Sequence, residues 1–157
     1  RGAVGGPTGL PLGTVNPYMT LLRGAVPASL MSTVTRLCRE AAPTEWGGAI
    51  VSTDGSYRVV SPPPLTAGHG HVSHARAFIK PDTLVMDIHS HGNGEAYFST
   101  TDDADYLSNP VPLFLAGVVG RCSSEAPQTV WRVVCNGWTW ALENGQVSAF
   151  GERLAGR

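Results

Sequence analysis

The spacing between apolar residues changes at Pro43, and this change limits the folds that the chain can adopt. Before Pro43, apolar residues recur every three or four positions, which predicts an amphipathic helix over about 28–42 with Pro27 at its start. After Pro43, short apolar runs of strand length alternate with turns rich in glycine, asparagine and proline. One helix followed by many strands excludes a helical bundle and predicts a mixed α/β domain.

Several segments after Pro43 have the pattern of a strand, and turns separate most of them. Asn136-Gly137 and Asn144-Gly145 are the strongest hairpin signals in the chain. We interpret 61–76 as a loop, because Pro62 to Pro64 stop a strand, and 99–108 as a short second helix. The strands are predicted at 49–52, 57–60, 84–89, 113–119, 130–135, 138–142 and 147–150. We therefore expect a mixed, mostly antiparallel sheet flanked by helices.

The composition predicts one lightly charged domain, since 42% of the 157 residues are hydrophobic and 15% are charged. Residues 1–27 contain six Gly and four Pro, so we expect an N-terminal arm there. The domain then covers 28–150, and a C-terminal tail covers 151–157. The net charge of −1 argues against a nucleic-acid partner. No apolar run approaches the roughly 20 residues that a membrane-spanning helix needs.

The three cysteines, Cys38, Cys122 and Cys135, include no Cys-x-x-Cys pair. An odd number without that spacing argues against a disulfide framework and against a thiolate zinc site. We interpret them as reduced core residues of a cytoplasmic protein, because no signal peptide is evident.

The segment that most suggests chemistry begins with Asp87, near the end of the most strongly predicted strand. His89 and His91 are two residues apart there, so both imidazoles point to the same side and suit a metal ion. Ser99 opens the short helix, and Asp102 lies one turn later on the same side. If the loop folds back, Asp102 supplies a third ligand. A fourth position then stays open for water, as in a catalytic zinc site.

Simpler interpretations of the same residues stay open. Ser99 and Asp102 also form a helix N-cap with an acidic first turn, which stabilises a helix without any ligand. Asp103 is the register alternative to Asp102, and Asp87 is either a hydrogen-bond acceptor for a ligand imidazole or a plain buried acid. A second histidine group lies in the predicted loop, where we expect solvated side chains. Its members are His69, His71 and His74.

A water nucleophile also needs a proton acceptor, and Glu45 is the strongest candidate. It lies between Pro43, at the end of the predicted helix, and Trp46, at the start of the first strand. A carboxylate beside a Trp ring is partly desolvated, which suits it to proton transfer. Alone, Glu45 equally fits an ordinary surface acid.

The pattern Glu-x-x-Gly, then His-x-His, seven residues and Ser-x-x-Asp resembles the JAMM (MPN-plus, Mov34/PAD-1) metalloproteases. The matching residues are Glu45, Gly48, His89, His91, Ser99 and Asp102. The resemblance covers about residues 28–142. Segments 87–92 and 98–105 look most like the PRTRC system protein A branch, whose bacterial gene cluster also holds ThiF-like and ParB-like proteins.

The resemblance implies an MPN/JAMM fold, which is cytidine-deaminase-like, with Zn²⁺ bound by His89, His91 and Asp102. It also implies that Glu45 acts as general base and then as proton donor, and that Ser99 helps to hold the oxyanion. The implied activity is zinc-dependent hydrolysis of an amide or isopeptide bond at the C-terminus of a ubiquitin-like partner.

The chain departs from the family pattern in two places. Many members have Pro after the second His, where this chain has Gly92. The interval between Glu45 and His89 shows no evident insertion of the kind that grips ubiquitin in eukaryotic relatives. We therefore expect a small ubiquitin-like or sulfur-carrier conjugate as the substrate, with a ThiF-like protein of the same gene cluster as a further candidate partner.

Two other functions stay open at this point. The Gly/Pro-rich arm and the paired Trp138 and Trp140 also fit a non-catalytic MPN-type scaffold in a plasmid-encoded complex. A nucleic-acid-associated protein, like the RadC relatives, is the third candidate. The net charge of −1 argues against that third function.

Overall fold

The computed structural model describes residues 21, 24–61, 64–68, 71–74 and 79–142. The helices are α1 (Ala28–Ala41) and α2 (Thr100–Ser108), and a 3-10 turn covers Pro81–Thr83. The strands are β1 (Gly47–Thr53), β2 (Ser56–Val60), β3 (Pro64–Gly68), β4 (His71–His74), β5 (Leu84–Ser90), β6 (Leu113–Gly120), β7 (Gln128–Cys135) and β8 (Trp138–Leu142).

Six of these strands form one mixed sheet in the order β2-β1-β5-β6-β7-β8, and β3 and β4 form a second, two-stranded sheet. Within the large sheet, β5 and β6 are parallel and the other neighbours are antiparallel. A parallel pair needs a long crossover connection, and α2 lies in the segment that joins β5 to β6. The crossover therefore brings α2, which follows His89 in sequence, back alongside the sheet.

The two helices contribute to apolar clusters on opposite faces of this sheet. Val34 and Cys38 of α1 are fully buried in a cluster with Ile88 and Leu115. Tyr106 of α2 is buried in a second cluster, with Phe114, Ala116 and Val134. Leu115 and Ala116 are consecutive in β6, and successive strand residues point to opposite faces. The sheet is thus the middle layer between α1 and α2.

The predicted α/β class, with a mostly antiparallel mixed sheet flanked by helices, is confirmed. The predicted loop over 61–76 is wrong where the structure describes it, because β3 and β4 pair there as a short hairpin. That hairpin lies in the interval between Glu45 and His89. The predicted strand at 147–150, the C-terminal tail and nearly all of the N-terminal arm fall outside the described residues.

Neither described helix has the length and apolar character needed to cross a membrane.

Candidate metal centre

The two histidines lie at the end of a strand in the middle of the sheet. His89 is in β5, opposite Gly47 of β1 and Val118 of β6. His91 follows the strand, and its backbone amide donates to the carbonyl of Val119 at 2.9 Å. This bond fixes the residue just past the strand, so both imidazoles meet, with their Nε2 atoms 3.3 Å apart.

Asp102 comes to the histidines from the first turn of α2. Its backbone amide donates to Ser99 Oγ, while its own Oδ2 accepts from the Ser99 amide at 2.6 Å and from the Ser99 hydroxyl at 2.7 Å. This reciprocal capping box holds the carboxylate in one orientation. Its other oxygen, Oδ1, lies 3.4 Å from His89 Nε2.

These three groups fit a zinc ion. The ligating atoms of His89, His91 and Asp102 all lie within 4.8 Å of one another. Two ligands about 2.0–2.1 Å from zinc at a tetrahedral angle lie about 3.3–3.4 Å apart. The 3.3 Å between the two Nε2 atoms and the 3.4 Å between His89 Nε2 and Asp102 Oδ1 match two edges of such a tetrahedron, and the third edge, between His91 and Asp102, is within 4.8 Å. Two nitrogens and one oxygen leave the fourth corner for water.

In two of the proposed ligands, the atom that would not bind the metal forms hydrogen bonds within the protein. His91 Nδ1 lies 3.0 Å from the carbonyl oxygen of Glu95, so this nitrogen carries the proton and donates it. The Nε2 atom of His91 then keeps its lone pair for a metal. The hydrogen bonds of Ser99 to Asp102 Oδ2 leave Oδ1 as the oxygen that faces the histidines. Such bonds orient metal ligands before the ion arrives.

Gly92 lets the chain turn away directly after His91. Its φ of +54° is in the left-handed region, which glycine adopts without a steric penalty. A Cβ atom at this position would lie 2.3 Å from the carbonyl oxygen of Pro43. The Gly92 carbonyl accepts from the amide of Cys122 at 2.9 Å. The glycine therefore permits a close approach between two segments. Proline, which is common here in the resembled family, cannot adopt this φ.

Glu45 reaches the same place from the segment between α1 and β1. A cavity of about 370 Å³ contains both Glu45 and His91 in its lining. Its other walls are Pro43, Asn93, Gly94, Glu95 and Tyr97. Glu45 is half-buried and Trp46 beside it is buried, as the sequence predicts. The predicted proton acceptor thus shares one cavity with a predicted ligand.

The remaining predicted residues have mixed outcomes. Asp103 is not in the group with His89; it is 51% exposed and pairs with Arg132 instead. Asp87 is 6% exposed, and its hydrogen bond to a ligand imidazole stays a prediction. The side chains of the second histidine group lie outside the described residues. All three cysteines are free, with Cys38 and Cys122 buried.

Sequence reasoning missed the residues that shape the cavity wall. Tyr97 is 58% exposed and contacts the His91 ring edge-on, with the ring centroids 4.5 Å apart. The Arg121 guanidinium donates to Glu95 and holds the pKa of that carboxyl below its usual value. Both Glu95 and Tyr97 lie in the spacer between His-x-His and Ser-x-x-Asp, where the pattern specifies no residue type. No signal in the sequence distinguishes them.

Comparison with known proteins gives a family and a fold. Residues 27–134 match the sequence profile of a family described as prokaryotic homologs of the JAB domain. The solution structure of a protein from Desulfitobacterium hafniense is similar, with a TM-score of 0.56 and 16% identity. The likeness covers 76% of this chain and 89% of that chain, and at this identity it shows the fold alone. No curated protein matches the chain significantly.

Proposed function

Since the chain belongs to the family of prokaryotic JAB-domain homologs, we propose that it is a zinc-dependent hydrolase. The bond that it cleaves would be an amide or isopeptide bond at the C-terminus of a ubiquitin-like or sulfur-carrier-like protein. The observation that carries the proposal is the meeting of His89, His91 and Asp102, whose ligand atoms lie within 4.8 Å of one another, with two of the three separations at tetrahedral values. Glu45 in the adjoining cavity adds the proton acceptor that hydrolysis needs.

His89, His91 and Asp102 would hold the ion through Nε2, Nε2 and Oδ1. A zinc ion bound there would supply Lewis-acid chemistry, which lowers the pKa of bound water to about 7 and polarises a carbonyl. Glu45 then accepts the proton of the attacking water and passes it to the nitrogen of the leaving amine. The half-buried position of Glu45 limits competition from bulk water for that proton.

Ser99 has two roles that its hydrogen bonds allow us to separate. Its hydroxyl donates to Asp102 Oδ2 at 2.7 Å, so the single hydroxyl proton already serves the ligand carboxylate. Donation to an oxyanion would require that bond to open. We therefore assign Ser99 first to holding Asp102, with its contribution to the oxyanion as a second role.

The experiment that tests the proposal compares Glu45→Gln with the unchanged protein in a cleavage assay. The substrates are ubiquitin-like fusion proteins encoded beside this chain in its genome, with and without a metal chelator. We expect Glu45→Gln to keep its zinc and to lose about 10²–10⁴-fold in rate, the usual contribution of a general base. Glu40→Gln is the matched control, because Glu40 is an exposed acid of α1 that pairs with Arg36.

Two results would contradict the proposal. One is a Glu45→Gln protein that cleaves at the full rate. The other is cleavage by the unchanged protein that persists when the chelator has removed all metal.

A non-catalytic scaffold is the second candidate function, because the protein has exposed apolar side chains away from the metal centre. Trp138 is 50% exposed and Leu113 is 47% exposed. Both pair with Cys135 across neighbouring strands, so they lie in one row on one face. If His89→Ala combined with His91→Ala leaves the biological output in the host unchanged, the scaffold is favoured over the enzyme.

A further inference from the structure

A single arginine on the sheet contacts both sides of the segment that carries Asp102. Arg132 lies in β7, and its Nη1 atom donates to Asp103 Oδ1 at 2.5 Å. The centre of its guanidinium lies 4.1 Å from the centroid of the Phe98 ring. Phe98 directly precedes Ser99, and Asp103 directly follows Asp102. Arg132 therefore holds the two residues that bracket the capping box.

Arg132 also projects from the face of the sheet that carries the metal centre. In the paired strands, Arg132 lies opposite Ala116, and Ala116 lies opposite Asp87. Residues that pair directly point to the same face, and His89, two residues after Asp87, shares it. The arginine thus joins the start of α2 to the same sheet that positions His89.

We propose that Arg132 is a positioning residue for the metal ligand Asp102. The proposal rests on the zinc centre of the proposed function and adds a residue that the family pattern does not include. In the structure, Asp102 Oδ1 lies 3.4 Å from His89 Nε2, and this separation depends on where the first turn of α2 lies against the sheet. Arg132 helps to set that position from outside the ligand set, together with the apolar packing of Phe98 and Tyr106.

The guanidinium group suits this role better than an ammonium would. Its central carbon lies over the Phe98 ring while Nη1 donates to Asp103. A guanidinium spreads its charge and its donors over a planar fork and so makes both contacts at once, whereas an ammonium is a single point charge. The Arg132 side chain is 22% exposed, so water screens the contacts only in part. By contrast, Arg36 and Glu40 form a pair within one helix that is 59% and 58% exposed and holds no second element.

The proposed role predicts a loss of zinc affinity in a protein that still folds. Without Arg132, the first turn of α2 keeps the apolar packing of Phe98 and Tyr106 but loses its polar contact with the sheet. Asp102 is then held less firmly in the position that zinc binding needs. Residues that hydrogen-bond a metal ligand directly typically change metal affinity by about 10–100-fold when they are removed. Because Arg132 acts through the neighbours of Asp102, we expect a loss at the lower end, about 10-fold, for Arg132→Ala. We expect a smaller loss for Arg132→Lys, which keeps the charge beside Asp103 but not the stacking on Phe98.

The experiment measures the zinc dissociation constant of each folded variant by competition with a chromophoric chelator. The variants are Arg132→Ala, Arg132→Lys and Asp103→Asn, and Arg36→Ala is the matched control. The melting temperatures of the metal-free proteins are measured in parallel, to show that each variant is folded at the temperature of the zinc titration. We expect the smallest loss of zinc affinity for Arg132→Lys, an intermediate loss for Asp103→Asn and the largest loss for Arg132→Ala. The control Arg36→Ala should bind zinc as tightly as the unchanged protein.

The outcomes separate this proposal from the proposed function. If the unchanged protein binds no zinc, the proposed function fails and this proposal fails with it. If the unchanged protein binds zinc and Arg132→Ala binds it equally well, only the positioning role is overturned. A lower melting temperature of metal-free Arg132→Ala with an unchanged zinc constant also overturns it. Should Arg132→Ala not fold, Arg132→Lys and Asp103→Asn decide by the same criterion.

Discussion

Replacing Gly92 by alanine tests whether the turn after His91 positions the metal centre. Gly92 has a φ of +54°, and a Cβ atom there would lie 2.3 Å from the Pro43 carbonyl oxygen. An L-residue in the left-handed region costs about 1–2 kcal/mol. The Cβ atom also lies about 1 Å closer than an ordinary carbon–oxygen contact of about 3.3 Å. Forcing a methyl group into a packed region costs about 1–3 kcal/mol more.

The expected loss for Gly92→Ala is therefore about 2–5 kcal/mol in the free energy of unfolding. Gly24→Ala is the matched control. Gly24 also has a positive φ, of +80°, but a Cβ atom there would meet nothing within 4 Å. The control should lose only the backbone contribution of about 1–2 kcal/mol. The difference between the two variants isolates the contact with Pro43.

Urea unfolding of the two metal-free variants and of the unchanged protein gives these free energies, provided that the m-values agree. The backbone of Pro43 must move to admit the methyl group, and Pro43 precedes Glu45 by two residues. We therefore expect Gly92→Ala also to lower zinc affinity or turnover, which Gly24→Ala should not do. Equal losses of stability for the two variants would refute the close contact. An unchanged zinc site in a destabilised Gly92→Ala protein would refute its role in positioning.

Two further predictions follow from the hydrogen bonds and the buried thiols. Ser99→Ala removes the capping box at α2, so it should lose about 1 kcal/mol of stability and weaken zinc binding; a variant with full zinc affinity and reduced turnover would instead assign Ser99 to the oxyanion. Burial raises the pKa of Cys38 from 9.0 to about 12 and raises that of Cys122 as well. At about pH 8 a thiol reagent should therefore modify at most Cys135 in the folded chain and all three cysteines after denaturation. Above pH 9.0 the buried thiols lose their protons in the unfolded chain before they do in the folded chain, so the free energy of unfolding should fall as pH rises toward 12. Rapid modification of all three thiols in the folded protein would contradict the burial of Cys38 and Cys122.

Most helices and strands were predictable because their signals are local. The apolar stripe of α1 predicts a helix to residue 42, and the structure ends it at Ala41. The apolar runs at 49–52 and 57–60 predict two strands, which the structure contains as β1 and β2. By contrast, β3 begins at Pro64, inside a proline run that favours a stop. Pairing with β4 makes it a strand, and the residue types of one segment do not reveal which segment it pairs with.

The candidate site was predictable only where a spacing pattern describes it. His89, His91, Ser99 and Asp102 lie within 14 residues of sequence, and their separations follow from one strand end and one helix start. Glu45 is distant in sequence: its place beside Trp46 made it a candidate proton acceptor, and the family resemblance then indicated that it belongs to the same site. Arg132 was not predictable, because its contacts with α2 depend on the register of β7 in the sheet.

The central claim is that the two imidazoles and the carboxylate bind one zinc ion. Titration of the metal-free protein with zinc at neutral pH, followed calorimetrically, tests this claim most directly. We predict one zinc per chain, with binding severely weakened in each of His89→Ala, His91→Ala and Asp102→Ala. An unchanged protein that binds no zinc, or three variants that bind it as tightly as the unchanged protein, would contradict the claim.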